Sequence, residues 1–211
     1  VIANAYSASQ FSQTAHLPLK AVRGQISCLP DDTASSRLKT VICGHGYIAP
    51  AISGRHTLGA TYDVGSSCTE INPADHLKNI EQLQATDKKL ADLLSPIKPQ
   101  NIEGRAALRC TTPDYLPIAG AAPVYQQFIE DYANLKKNAR SDIPVSGKHW
   151  PNLYINCGHG SRGMTYAPLC AEMIASQISD QIPPIELDLR MAVHPGRFII
   201  RNLKRNKISS T

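Results

Sequence analysis

The chain has 211 residues, of which 42% are hydrophobic and 18% charged, with a formal net charge of +5. That is enough apolar material to bury a core, and it excludes a disordered chain. It also excludes a membrane-spanning protein, since no apolar run approaches 18 residues.

The opening VIANAYSASQF lacks the charged start and apolar run of a secretion signal. Six cysteines (Cys28, Cys43, Cys68, Cys110, Cys157, Cys170) are scattered with no C-x-x-C pair, which speaks against zinc or any other metal and for reduced thiols in the cytoplasm. In chain order, Val1 to Asn4 is predicted as a short interior strand, and LPLKAVRGQISCL (Leu17 to Leu29) as a long strand with Gly24 as a candidate bulge. TVICGHGYIAP and HTLGATYDVG are β-rich runs joined by the turn AISGR, a hairpin signal. Asn72 caps a predicted helix with Pro73 in its first turn, an inner stripe of Leu77, Ile80, Leu83, Leu90 and Leu94, and a stop at Pro96. IEGRAALRCT reads as a strand, and TPDYLPIAGAAP as a connection too rich in proline and glycine for regular structure. A second helix runs from Val124 to Lys137, NARSDIPVSGKHWPN is a loop, and Leu153 to Cys157 is a strand before a glycine turn and a helix over Met164 to Ser179. The sum is an α+β protein.

The glycine turn, Gly158-His159-Gly160-Ser161-Arg162-Gly163, has the letters of the dinucleotide fingerprint. The fingerprint holds a pyrophosphate only when a second strand follows and ends on an acidic residue roughly 20 positions on. Here the continuation is SDQIPPIELDLR, with paired prolines unsuited to a central strand. The turn is therefore expected to be the last strand-to-helix connection of a larger fold, whose helix still presents free N–H groups and a positive dipole end to something electron-rich. At the far end, RFIIRNLKRNKISST carries Arg197, Arg201, Lys204, Arg205 and Lys207 and no acid. Such a segment suits a phosphate backbone, and equally a solvated terminus.

Four stretches in order, QFSQTAHLPLKAVRGQIS, GYIAP with HTLGATYDVG, ALRCTTPDYLPIAG and GHGSRGMTYAPLCAEMIASQI, resemble the flavin-dependent amine oxidases of the D-amino-acid oxidase and glycine oxidase family. Within that family the resemblance is to its tRNA-modifying members, and it runs on through IPPIELDLRMAVHPGRFIIRNLKR. It implies a mostly antiparallel substrate-domain sheet with flanking helices over residues 17–108. It further implies the C-terminal strand-loop-helix part of a Rossmann-like FAD-binding domain over 1–16 and 109–182, without that domain's first glycine-rich segment, and a basic extension over 183–211.

By the same resemblance Gly158, Gly160, Ser161, Arg162, Gly163 and Met164 pack against the flavin, with the helix N-terminus at its pyrimidine edge. Arg109 holds the substrate carboxylate, a bidentate task suited to a guanidinium, against the alternative of a structural pair with Asp114. Arg162 is a second carboxylate-binding candidate. His45 and Tyr47, two apart in a predicted strand, face one side, with Tyr47 the hydrogen-bonding residue and His45 structural. Arg23, Gly24 and Gln25 are architectural. The implied reaction oxidises the carboxymethylaminomethyl group of a wobble uridine in tRNA to aminomethyl, using FAD that this chain alone is not expected to retain. An S-adenosylmethionine-dependent methyltransferase domain on the same natural polypeptide would then act on the amine. A small-molecule glycine or sarcosine-type oxidase and a non-catalytic fragment stand as alternatives.

Overall fold

A computed structural model describes residues 1–94 and 98–208. The described chain divides into two compact units, one of residues 21–108 and one of residues 1–20 with 109–211.

The first unit is a sheet covered by a helix. β1 (Lys20–Pro30) lies between β4 (Arg55–Gly59) and β5 (Asp63–Val64) in the strand order, and the path continues from β4 through β3 (Tyr47–Ile48) to β2 (Ile42–Cys43). β6 (Glu103–Thr111) also pairs with β1. β1 runs antiparallel to β4, with Ser27 opposite Leu58, and to β5, with Val22 opposite Val64. The expected hairpin is present: Ile52 and Arg55 exchange backbone hydrogen bonds across Ser53 and Gly54, whose φ values of 52° and 77° are the left-handed pair that a two-residue turn needs. The first β-rich run, however, folds back on itself. Cys43 pairs with Tyr47 across Gly44-His45-Gly46, so His45 lies in a turn and does not share a strand face with Tyr47.

The predicted long helix is two. α1 (Pro73–Thr86) starts as expected, with the Asn72 side chain accepting from the Ala74 N–H. It stops where Asp87 turns extended, and the Asp87 carboxylate accepts from Leu90 N–H to start α2 (Lys88–Leu94). The proposed stop at Pro96 lies outside the described residues. Leu83, Ala91 and Leu94 join Leu29, Ile48, Leu58 and Ile102 in one core. Leu77 does not belong to the inner face, being 48% exposed; Asp75, His76 and Asn79 are buried there instead.

The reason lies on β1, where strand periodicity puts Arg23, Gln25, Ser27 and Leu29 on one face. The Arg23 guanidinium donates to Asp75, to Gln25 Oε1 and to the carbonyls of Cys68 and Glu70. Asn79 donates to Gln25 O and Ser27 Oγ, and Ser27 Oγ meets His76 Nδ1 at 2.7 Å. One end of the helix–sheet contact is thus a hydrogen-bonded polar network and the other is apolar, which matches the architectural role expected of Arg23 and Gln25.

In the other unit, β8 (His149–Cys157) pairs antiparallel with β7 (Ile118–Pro123), with Ile118 opposite Cys157. Val1 to Asn4 contributes one parallel bridge, Ile2 to Ile155, in place of a strand. β7 corrects the expectation that TPDYLPIAGAAP lacks regular structure. Ile118 to Ala121 pair with β8, all residues of β7 but the half-buried Ala121 are buried, and its proline falls at the end of the ladder, where the register shifts. Likewise β8 begins at His149, within the stretch read as loop.

Ala119 on one side of the pair packs against Cys170, Met173 and Ile174 of α4 (Gly163–Ile178). Ile118, Ala122, Ile155 and Cys157 on the other side pack against Ala8, Leu17, Leu19, Cys110 and Phe198. The second predicted helix is shorter than read: α3 (Tyr125–Asp131) gives way to a 3-10 turn over Ala133–Lys136. The described part of the basic extension carries two helices. After α5 (Leu187–Val193), α6 (Arg197–Lys204) buries Phe198, Ile199 and Leu203, the last two against Phe128, Ile129 and Leu135. All six cysteines are free. Among the described residues no helix is long and apolar enough to cross a membrane, and no group of histidine, cysteine and acidic side chains could hold a metal ion.

Candidate functional site

The glycine turn follows directly from β8. Gly158 is buried with φ 75°, and a Cβ built on it would lie 2.7 Å from Thr112 Cγ2. Gly160 has φ 58°, and its nearest neighbour in the same sense is Thr111 Cγ2 at 3.5 Å. Both conformations are ones that side chains disfavour. Gly163 differs: its φ is −55°, and its virtual Cβ meets nothing nearer than His159 Cβ at 3.8 Å. The turn therefore packs on the end of β6, against Thr111 and Thr112. Burial pushes the Cys110 thiol up, opposed by the Gly158 backbone N–H, which places that amide at the Cys110 sulfur.

A strand alternates its side chains, so within Arg109–Thr111 the buried Cys110 points one way while Arg109 and Thr111 share the other face. Gly160 lies over Thr111, on that shared face. Arg109 and the glycine turn thus belong to one unit, with Gly160 over the residue two along from Arg109. Asp114, the alternative partner for Arg109, is bound by other residues. Arg197 Nε and Nη2 each donate to its carboxylate at 3.0 Å, Arg201 Nη1 stands 3.6 Å away, and Thr112 Oγ1 and Leu116 N–H also donate to it. Burial alone would push the Asp114 carboxyl up; the Arg197 hydrogen bonds and charge outweigh it and hold the group below the usual carboxylate value.

After the turn, a short 3-10 segment (Gly160–Arg162) leads into α4, and no side chain caps the start of that helix. The positive dipole end of α4 faces back toward the glycine turn. Ser161 and Arg162 are exposed, Arg162 Nη1 standing 3.4 Å from Tyr166 Oη, and Met164 is 95% exposed. His159 has a buried Nδ1 with no hydrogen-bond partner among the described residues, and burial lowers its imidazole pKa. Tyr47 belongs to the other unit, on β3, where its phenol lies over Gly59.

The basic segment divides in two. Arg197 donates to Asp114 and to the carbonyl of Leu116, and its side chain is 12% exposed. That commitment removes it from the set of residues free to meet a phosphate. Lys204, Arg205 and Lys207 are exposed, with Arg201 intermediate. Sequence reading missed the Asp114–Arg197 pair because the partners lie far apart in sequence and carry no shared motif. The one signal was an acidic residue in an otherwise apolar connection.

A helix N-terminus without a side-chain cap beside two left-handed glycines fits the electron-rich edge of a flavin, where negative charge develops on reduction. The family described as FAD dependent oxidoreductase matches residues 1–177. A tRNA 5-methylaminomethyl-2-thiouridine biosynthesis bifunctional protein MnmC from Pseudomonas syringae pv. tomato is 46% identical over 207 residues, covering 97% of this chain and 31% of that protein. The protein of the same name from Chromobacterium violaceum is 43% identical over 209 residues, covering 99% and 32%. The chain therefore spans about a third of the length of these curated relatives. Among solved structures, L-proline dehydrogenase from P. horikoshii aligns with a TM-score of 0.63 at 17% identity, over 98% of this chain and 47% of that one. Glycine oxidase from Geobacillus kaustophilus aligns with a TM-score of 0.59 at 17% identity, over 86% and 40%. These likenesses show a shared fold, and with the family match over residues 1–177 they lead to one conclusion: the chain belongs to the FAD dependent oxidoreductase family.

Proposed function

We propose that this chain is the carboxylate-binding and flavin-edge part of a bifunctional tRNA-modifying enzyme. In that reading it acts on the carboxymethylaminomethyl group of a wobble uridine, leaving aminomethyl, and a methyltransferase domain on the same natural polypeptide uses S-adenosylmethionine in the following step. The work is cytoplasmic, as suits a tRNA substrate. The observation that carries the reading is the sharing of one strand face by Arg109 and Thr111, with Gly160 over Thr111.

When bound, FAD supplies the two-electron oxidation of a carbon–nitrogen bond, converting the substrate's secondary amine to an imine that water cleaves to glyoxylate and the aminomethyl nucleoside. The chain's residues bind and orient. Arg109 pairs with the glycine-derived carboxylate, fixing the position of the C–H bond next to it. The N-terminal end of α4 at Gly163 and Met164, with the helix dipole behind it, offsets negative charge at the flavin's edge. Gly158, Gly160, Ser161 and Arg162 bring backbone close to that edge, with Arg162 a second cation near the carboxylate. Tyr47 is assigned a hydrogen bond to the substrate. Neither a lone histidine nor an acid is needed to lose hydride from a neutral amine. The chain holds FAD as part of the longer polypeptide and poorly by itself.

The test is Arg109→Ala in the full-length protein. Losing a charge-assisted bidentate pair costs about 2–3 kcal/mol, so kcat/KM on tRNA bearing the carboxymethylaminomethyl group should fall roughly 30- to 150-fold with flavin content unchanged. Unaltered kcat/KM would remove Arg109 from the site.

A further inference from the structure

The helix pair α5 and α6 encloses a groove of about 340 Å³ lined by Met191, Arg197, Ile200, Arg201, Lys204 and Arg205. Its chemistry is divided. Met191 and Ile200 supply an aliphatic floor, and Lys204 and Arg205 supply exposed cations at the rim. Arg201 is held between them, with its guanidinium 4.6 Å from the centre of the Phe198 ring and 3.6 Å from Asp114. The Arg201 side chain is 31% exposed, so part of the guanidinium faces the groove while the rest is held by Phe198 and Asp114.

We infer that this groove takes one unpaired nucleotide of an RNA, the base against Met191, Ile200 and the Arg201 plane and the flanking phosphates on Lys204 and Arg205. The inference rests on the tRNA reading above and adds to it what the basic helix recognises. A double helix turns phosphates and sugars outward and would leave the aliphatic floor facing water. An unpaired base offers a flat face for that floor and for a guanidinium, and charge complementarity places its phosphates at the rim. A free phosphate would satisfy the rim and make no use of Met191.

Fluorescence anisotropy with the full 211-residue chain separates these cases, using a uridine-rich single-stranded RNA, a duplex RNA of the same length and inorganic polyphosphate, each across a salt series. The single strand should bind about five-fold or more tighter than the duplex, as a stacked base predicts. Met191→Ala, at a position half exposed and outside the core, should abolish that preference and leave the salt slope intact. Met191→Gln, with similar length and a polar end, should give the same result and guards against a loss of fold. Lys204→Ala with Arg205→Ala should shallow the log–log salt slope by roughly 0.7 per lost contact. Equal binding of single strand and duplex, with Met191→Ala silent, would overturn the groove's role and leave phosphate contacts by the basic helix standing. Polyphosphate binding as tightly as RNA would overturn it too. No RNA binding in any form would overturn both the groove and the RNA reading of this segment.

Discussion

The three glycines of Gly158-His159-Gly160-Ser161-Arg162-Gly163 look equivalent in the sequence and are not in the structure, which makes alanine at each a sharp test. At Gly158 two costs add. The left-handed φ of 75° costs about 1–2 kcal/mol for a residue with a Cβ. The new methyl also stands 2.7 Å from Thr112 Cγ2, well inside ordinary contact, and overpacking of that kind costs about 1–3 kcal/mol. At Gly160 only the first cost applies, since φ is 58° but the nearest atom is 3.5 Å away. At Gly163 neither applies: the position is helical, the space is open, and alanine should be neutral or stabilise by up to about 0.5 kcal/mol through the entropy of the unfolded chain. Urea unfolding of the chain should therefore rank Gly158→Ala as the most damaging at about 2–5 kcal/mol, Gly160→Ala next, and Gly163→Ala last with the opposite sign. Thr112→Ser removes the methyl that clashes and keeps the hydroxyl that donates to Asp114 and the Leu116 carbonyl. In the Gly158→Ala background it should restore the steric share of the loss. A Gly163→Ala as destabilising as Gly158→Ala, or no relief from Thr112→Ser, would refute the packing of this turn on the end of β6.

Two further predictions concern stability. Burial pushes the imidazoles of His16 and His194 down to about 4 from 6.5, so the unfolded chain takes up their protons first. Their neutral forms contribute stability fully above about pH 6.5 and lose it as pH falls toward 4, about 2 kcal/mol each by pH 5; urea midpoints that stay flat between about pH 7.5 and pH 5 would exclude this. Asp114→Ala leaves the Arg197 guanidinium, 12% exposed, without its carboxylate, and should cost about 2–3 kcal/mol, less than a fully buried pair because Asp114 is 27% exposed. A loss below about 0.5 kcal/mol in the same assay would show that the Leu116, Val193 and His194 carbonyls suffice to hold Arg197.

The legible features were those set by local chemistry. The Asn72 cap, the Ser53-Gly54 hairpin, the strand carrying Arg109 and the turn after β8 follow from residue types at fixed spacings, whatever the rest of the chain does. The features that were not legible depend on distant partners. β7 reads as a connection because Ile118-Ala119-Gly120-Ala121 has little strand propensity of its own; pairing with β8 and burial between two apolar clusters supply what propensity lacks. Leu77 fits a helical stripe, yet Asp75, His76 and Asn79 take the inner face because Arg23, Gln25 and Ser27 wait opposite on β1. The alternation of those three polar residues was the one hint. His45 failed for a further reason, since Gly44 and Gly46 on either side permit the turn that removes it from the strand. For the candidate site, motif order pointed to Arg109 and the glycine turn, while the packing of Gly160 on Thr111 and the engagement of Asp114 by Arg197 required the fold.

The proposed oxidation of a carboxymethylaminomethyl group on tRNA can be followed by anaerobic mixing of the flavin-loaded full-length protein with tRNA bearing that group, recording flavin absorbance and released glyoxylate together. The flavin should bleach with one glyoxylate released per flavin reduced, and far more slowly with free glycine or sarcosine at the same concentration. Bleaching by the free amines with none from the modified tRNA would contradict the proposed oxidation and identify a small-molecule amine oxidase.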